Sequence, residues 1–165
     1  MGKRLSLFLA LALSVAMMSL TSRATAQSPS APAAAPSPLA TADGETSGMQ
    51  VQVKQLKMVG GDTLMLAFTL VNNSDSNFQM GCGTLADGCY ADVDAITLVD
   101  LANKKKYEVI RDTDKNCLCS RKVADIPAKG SMGLYAKFPA PPDSVQKIEV
   151  NIPHFMPMDD VPISR

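Results

Sequence analysis

The stretch that decides the fold class is residues 50–71, which reads QVQVKQLKMVGGDTLMLAFTLV. Residues 50–54 alternate strictly between polar and apolar side chains, which is the period of a half-buried β-strand. The alternation slips at Gln55-Leu56, which predicts a β-bulge, and Gly60-Gly61-Asp62 predicts a turn. Residues 63–71 are apolar on both faces, which predicts a central strand covered on both sides.

Short strands of the same kind follow toward the C-terminus. They are expected at residues 96–99 and 106–110, which flank a polar turn, at 132–138 and 145–152, and at a last edge through Val161 and Ile163. No 12-residue window carries a convincing helical period. About seven strands separated by Gly, Pro, Asn and Asp predict an antiparallel β-sandwich. A small β-barrel is the alternative, but the 72–92 connection is too long for an up-and-down meander.

The N-terminal residues predict export. Lys3 and Arg4 precede an almost unbroken apolar run, and Ala24-Thr25-Ala26 has the small-x-small pattern of a cleavage site, so residues 1–26 predict a signal peptide. A membrane anchor is the alternative, because the run approaches the roughly 20 residues that span a bilayer. The run is slightly short and ends at a good cleavage site, which favours cleavage and leaves no stable membrane span.

The segment after the leader is rich in Pro, Ala and Ser, with no apolar periodicity. Such a composition cannot bury enough surface to offset its ordering entropy, so residues 27–47 predict a disordered, extended linker. Residues 48–165 are then the sandwich domain.

Charge and composition exclude several function classes. The chain has 16 basic and 16 acidic side chains, and loss of the leader leaves 13 basic ones and a formal charge of −3. Nucleic acid is therefore not an expected partner. The chain has one histidine, which excludes a multi-histidine metal site, and it has no phosphate-binding glycine loop. No nucleophile motif accompanies that histidine, so we do not expect an enzyme.

The cysteines are Cys82, Cys89, Cys117 and Cys119, and an even number in an exported chain predicts disulfides. Crossed pairings would close loops of about 30–37 residues and contribute roughly 3–4 kcal/mol in the chain-entropy model. Local pairing would join Cys82 to Cys89 and Cys117 to Cys119. The residues alone leave these pairings open. A redox pair or a zinc site has little support, because the flanking residues and the spacing are unusual for both.

Two segments carry potential metal ligands. His154, Met156 and Met158 combine an imidazole with two thioethers, a set that suits Cu(I), although methionines there can equally fill core gaps. Asp112, Asp114 and Asn116 copy the start of a calcium loop, but the sixth and twelfth positions do not fit an EF-hand. The calcium hypothesis that remains is a looser site that includes Asp92 or Asp94. A polar turn is the favoured interpretation of this segment.

Short motifs across the second half of the chain resemble a known module. The series comprises Leu66–Asp75, Ile96–Asp100, Lys106-Tyr107, Arg111-Asp112, Cys117-Leu118-Cys119-Ser120, Ile126-Pro127, Gly130, Phe138–Pro142, Val150-x-Ile152-Pro153 and Val161-Pro162-Ile163. Over roughly residues 49–165 it resembles the immunoglobulin-like module of exported bacterial envelope proteins, some of which carry an outer-membrane-protein-A-type peptidoglycan-binding domain further on. The chain stops at Arg165, so that further domain is not expected.

The resemblance implies an immunoglobulin-like sandwich that binds or scaffolds and has no catalytic residues to transfer. It also implies that Cys-Leu-Cys acts as a unit, which favours local pairing, and that apolar residues commonly occupy the 154–158 segment. We therefore expect a non-catalytic periplasmic or secreted module without a cofactor. Its end loops 72–92 and 111–122 would contact an unknown envelope or extracellular protein. The alternative is a periplasmic copper-binding protein that uses His154, Met156 and Met158.

Overall fold

A computed structural model of the chain describes residues 37–81 and 92–165. These residues form eight strands and no helix, which confirms the all-β class and adds one strand to the expected seven. The strands are β1 (Ala40–Asp43), β2 (Met49–Met58), β3 (Thr63–Asn72), β4 (Thr97–Asp100), β5 (Lys105–Glu108), β6 (Ser131–Pro139), β7 (Lys147–Asn151) and β8 (Met158–Pro162). The described part of the chain therefore offers no helical segment suited to crossing a bilayer.

The described strands form two antiparallel sheets of four strands each. The first sheet has the order β1-β2-β3-β6 and the second has the order β5-β4-β7-β8. The chain passes from the first sheet to the second after β3, back after β5, and again to the second after β6. The first crossing uses the long 72–92 connection, whose length is evidence against an up-and-down meander. The 96–110 hairpin is also confirmed, because β4 pairs with β5 from Thr97↔Glu108 to Asp100↔Lys105.

The core lies where the inward faces of the two sheets meet. Alternate residues are buried along each long strand, as the period of two requires. The largest fully buried side chains are Phe68, Phe138, Leu56, Leu64, Leu66, Leu70, Ile96, Leu98, Ile126, Val51 and Val53. The expected shared faces of Leu134, Ala136 and Phe138 and of Ile148, Val150 and Ile152 are all confirmed as buried.

The prediction that residues 63–71 are covered on both faces is wrong. In β3, the outward side chains of Met65, Ala67, Thr69 and Val71 are only partly buried. Because β3 lies between β2 and β6 in its sheet, neighbouring side chains shield this face from the sides, and no described layer covers it.

The linker prediction for residues 27–47 is wrong at its C-terminal end, because Ala40–Asp43 form β1 and pair with β2. The sandwich therefore begins before residue 48. Ala40 and Ala42 face Val53 and Val51 in the register, so two small apolar side chains are sufficient to seat this edge strand. The signal peptide prediction for residues 1–26 lies outside the described residues.

The predicted bulge in β2 is confirmed one residue earlier than expected. The register with β3 shifts between Val53 and Gln55, which leaves the exposed Lys54 as the extra residue. The bulge divides the outer edge of β2 into two parts. β1 pairs with the first part, and the C-terminal segment contacts the second, where Ser164 N–H donates to Leu56 O at 2.8 Å.

The free edge of β6 is also covered. Leu118–Ser120 runs antiparallel to it, and Lys137 N–H donates to Leu118 O at 3.0 Å while Ser120 N–H donates to Tyr135 O at 2.9 Å. A sheet edge with unpaired backbone groups is open to pairing with another chain. Segments outside the eight strands therefore cover β6 on one side of the first sheet and the second part of β2 on the other.

Candidate functional site

The first half of the 72–92 loop is anchored to residues 125–128. Phe78 and Ile126 exchange two backbone hydrogen bonds, of 2.8 and 2.9 Å, and Met80 N–H donates to Asp125 Oδ1 at 3.0 Å. Asn77 Oδ1 accepts a further bond from Ala128 N–H at 3.1 Å. Residues 125–128 lie outside the two predicted loops, although they hold the first half of the 72–92 loop in place.

The end of the same loop is anchored to the 111–122 loop. Asp92 accepts from Lys122 N–H at 2.9 Å and from Arg121 Nε at 3.3 Å, and Arg111 lies 2.6 Å from Asp94. Val93 N–H donates to Ser120 O at 3.0 Å. The end of the 72–92 loop is therefore adjacent to the 111–122 loop, and we call residues 77–80, 92–94 and 111–122 the loop surface.

The two ion pairs of the loop surface are oriented in the same way. The Asp94 and Asp92 side chains are only 13% and 16% exposed, whereas those of Arg111 and Arg121 are 45% and 46% exposed. The carboxylates therefore lie beneath, and the guanidinium groups face solvent with donors to spare. Tyr135 lies beside them, bonded through its backbone to Ser120, and is 41% exposed.

Asn72 sets the shape of the loop where it leaves β3. It is fully buried, and its Nδ2 donates to Ser76 O at 2.8 Å, to Pro127 O at 3.1 Å and to Ile126 O at 3.2 Å. Its Oδ1 accepts from the backbone N–H and the hydroxyl of Ser74, at 3.0 and 2.6 Å. One side chain thus ties the 74–76 turn to the 126–127 segment.

The two described cysteines lie in the buried part of the loop surface. Cys117 and Cys119 are at disulfide distance, with their Cα atoms 5.2 Å apart, and both are buried. The backbone of Cys117 forms an isolated antiparallel β-bridge with Arg111 across a small hairpin. The backbone of Cys119 forms another with Ala136 on β6. Residues two apart on an extended chain share a face, so both sulfur atoms point toward the core. Cys82 and Cys89 lie outside the described residues.

The calcium-like trio forms a turn in this structure. Asp112 Oδ1 accepts from Asn116 N–H at 2.8 Å, and its Oδ2 lies 3.1 Å from Asn116 Nδ2. These hydrogen bonds hold the pKa of Asp112 below its usual value. Asp92 and Asp94 are engaged by arginines, and the described residues contain no group of three His, Cys, Asp or Glu that could hold a metal ion.

The three residues of the copper hypothesis have different environments. Met158 is buried in the core on β8, whereas Met156 is 68% exposed. His154 Nδ1 lies 2.8 Å from Glu45 Oε2, which ties the β7–β8 turn to the β1–β2 turn. Sequence spacing alone does not show this separation of the two thioethers, because it depends on β8 beginning at Met158, which leaves Met156 in the preceding turn.

A polar pocket that the sequence analysis missed lies at the same end of the sandwich as Asn72. It has a volume of about 360 Å³, and its lining includes Thr46, Ser47, Phe78, Gln79 and Asp125. These residues come from three separate segments, so their spacing gives no warning of it. The only sequence signals were Gly48 just before β2 and the Asn-Asn-Ser turn after β3.

Comparison with known proteins finds no family model that matches the chain, and it finds neither a curated protein nor a solved structure that matches. The function must therefore be argued from the fold and the loop surface.

Proposed function

We propose that this chain is a non-catalytic binding or scaffolding module of the bacterial cell envelope, periplasmic or secreted, whose loops 72–92 and 111–122 contact an envelope or extracellular protein. The observation that carries the proposal is the joining of these loops by Asp92–Arg121 and Asp94–Arg111. Loops that are held by a rigid scaffold are the usual carriers of binding function.

The chemistry of the loop surface supports a protein partner. Arginine and tyrosine are enriched among the residues that dominate binding energy at protein interfaces. Arg111, Arg121 and Tyr135 are each between 41% and 46% exposed and lie around the same segment. Because their backbone anchors are hydrogen-bonded, little loop ordering would oppose association. We expect the partner to present carboxylates to the two guanidinium groups.

We further propose that the sandwich is immunoglobulin-like. The strand order β2-β3-β6 opposite β5-β4-β7-β8, with crossings between sheets after β3, β5 and β6, supports this assignment. The chain departs from antibody domains in having no tryptophan, and its described disulfide joins residues two apart rather than two sheets. Its core is instead filled by aliphatic side chains around Phe68 and Phe138.

An affinity capture from bacterial envelope extracts tests the binding function. The protein, its Arg121→Ala and Tyr135→Ala variants, and a Lys57→Ala control on the exposed outer face of β2 serve as baits. We expect the parent and the control to enrich one envelope protein, and its capture to fall at least about tenfold with Arg121→Ala and with Tyr135→Ala. Equal capture by all four baits would contradict the proposal, as would the absence of any enriched protein. Thermal melting of each bait verifies its folding.

A further inference from the structure

The polar pocket beside Asn72 has the size and position of a small-molecule site. Its volume of about 360 Å³ falls within the range of ligand pockets, which is roughly 300–1,000 Å³. One wall is the β1–β2 turn with Thr46 and Ser47, the opposite wall is the 74–79 stretch, and Asp125 closes it.

The walls of this pocket are fixed by hydrogen bonds and by close packing. Gly48 has a φ of 84°, and its carbonyl accepts from Asn73 N–H at 2.7 Å. A Cβ at Gly48 would lie 3.1 Å from Ser74 and the positive φ strains other residues, so glycine suits this close approach of the two walls. Asn72 fixes the 74–76 turn from beneath. The pocket is therefore preformed, which lowers the entropic cost of binding.

The walls also keep polar groups available for a ligand. Asn77 and Asp125 each spend one side-chain oxygen on a backbone N–H, at 3.1 and 3.0 Å, which leaves Asn77 Nδ2 as a donor and Asp125 Oδ2 as an acceptor. The side chains of Thr46, Ser47 and Gln79 make no hydrogen bond to any other described residue. These groups can both donate and accept.

The charge and the apolar surface of the pocket narrow the ligand class. The described lining contains neither lysine nor arginine, so nothing favours a phosphate or a carboxylate. Neighbouring Lys129 is already 2.9 Å from Asp75 and bonded to Asn73 O. The half-buried ring of Phe78 supplies an apolar surface among hydroxyl, amide and carboxylate groups. A ligand ring that carries vicinal hydroxyl groups and has one apolar face is complementary to these polar groups and to the Phe78 ring.

We propose that this pocket binds one neutral sugar unit of a saccharide. The proposal rests on the envelope-binding function only for its biological setting, because glycans are abundant at the cell surface. The ring of Phe78 would face the C–H side of the sugar. Asp125 and Gln79 would bond its hydroxyl groups. The loop surface and the pocket share residues 77–79, so a glycan-bearing partner can engage both.

Saturation-transfer difference NMR on the full chain tests this inference. The probes are methyl glycosides of glucose, galactose and N-acetylglucosamine, with methylammonium as a cationic probe for Asp125. We expect transfer from at least one glycoside with a dissociation constant of about 1 mM, and none from methylammonium. Gln79→Ala should weaken binding about tenfold, since a single ligand hydrogen bond contributes roughly that factor. Ser47→Trp should abolish it by filling the pocket.

Matched substitutions away from the pocket serve as controls. Gln55→Ala on the exposed bulge of β2 and Ser144→Trp on the exposed β6–β7 connection should leave glycoside binding unchanged. No transfer from any glycoside at about 10 mM would overturn the inference, as would transfer that survives Ser47→Trp or comes from methylammonium alone. If the sugar test fails while the Arg121→Ala bait still loses its protein partner, the envelope-binding function stands without the pocket.

Discussion

The side-chain amide of Asn72 supplies hydrogen bonds to backbone groups just after β3, where strand pairing ends. A buried amide is tolerated only when its donors and acceptor are bonded, because an unsatisfied polar group in the core costs free energy. Asn72 meets this condition, with Nδ2 and Oδ1 in hydrogen bonds to two short segments, 74–76 and 126–127. The shape of the polar pocket therefore depends on one residue that does not line it.

Asn72→Ala should lower the free energy of unfolding by about 3 kcal/mol, because it removes these bonds and leaves buried carbonyl groups without a donor. Urea denaturation at pH 7 measures the change. Asn73→Ala is the matched control, since Asn73 is exposed and contributes only backbone hydrogen bonds. An equal loss for both variants would show that Asn72 is not the organising residue.

Tyr107 presents the opposite case. Its ring is buried, with Lys105 Nζ 4.8 Å from the ring centroid, but its hydroxyl has no hydrogen-bond partner among the described residues. Burial raises the pKa of this hydroxyl, and the nearby carboxylate of Asp100 adds to the effect. The hydroxyl therefore lowers the stability of the folded state.

Tyr107→Phe should raise the free energy of unfolding by about 1 kcal/mol at pH 7, because it removes an unsatisfied buried group. The unfolded tyrosine releases its proton near pH 10 and the folded one only at higher pH. The parent should therefore lose stability as the pH rises above about 10, and the variant should lose less. Denaturation between pH 8 and 11 measures both effects. Parallel curves for parent and variant would refute the assignment.

Individual strands were predictable to the extent that their inward residues are large and apolar. Residues 50–54 and 145–152 show their period because valine and isoleucine face the core. β1 was missed because its inward residues are alanines within a run that also reads as linker. The pairing of 118–120 with β6 leaves no periodic signal, since it depends on where another strand ends.

The disulfide assignment is tested by tryptic mapping without reduction. Cys117 and Cys119 fall in one peptide, 116–121, and Cys82 and Cys89 fall in another, 58–104. We expect the 116–121 peptide to appear on its own and two hydrogens lighter than its reduced form. A crossed pairing would instead join the two peptides into one species that separates on reduction. Free thiols in both peptides would rule out any disulfide.

At the scale of the whole molecule, segments outside the eight strands cover part of each side of the first sheet. Leu118–Ser120 covers β6, and the C-terminal segment covers the second half of β2. Ser164 makes two backbone bonds there, accepting from Met58 N–H at 2.9 Å and donating to Leu56 O. Because β2 belongs to the first sheet and β8 to the second, residues 163–165 connect the two sheets through the backbone.

Ser164→Pro should lower the free energy of unfolding by about 1–2 kcal/mol, because proline removes the N–H that donates to Leu56. Ser164→Ala keeps that backbone bond and loses only an exposed hydroxyl, so it should change stability by less than about 0.5 kcal/mol. Chemical denaturation compares the two variants. Similar stabilities for both would mean that the C-terminal segment contributes little to joining the sheets.

The adjacency of the two predicted loops was within reach of the sequence, because rigid sandwiches place their connections at common ends. The contacts that create this adjacency were not, since Asp92 and Arg121 are far apart in the chain. The polar pocket was still harder to predict from the sequence, because each segment that lines it is an ordinary turn when taken alone. Only the tertiary arrangement gives these residues a shared chemistry.

Site-specific photo-cross-linking in bacterial cells that export the protein tests the binding surface most directly. A benzophenone side chain is placed at Gln79 or at Asp114, both exposed on the loop surface, and at Lys57 on the outer face of β2 as the control. We predict that positions 79 and 114 form an adduct with the same envelope protein and that position 57 does not. Adducts of equal yield at all three positions, or none at 79 and 114, would contradict the proposed function.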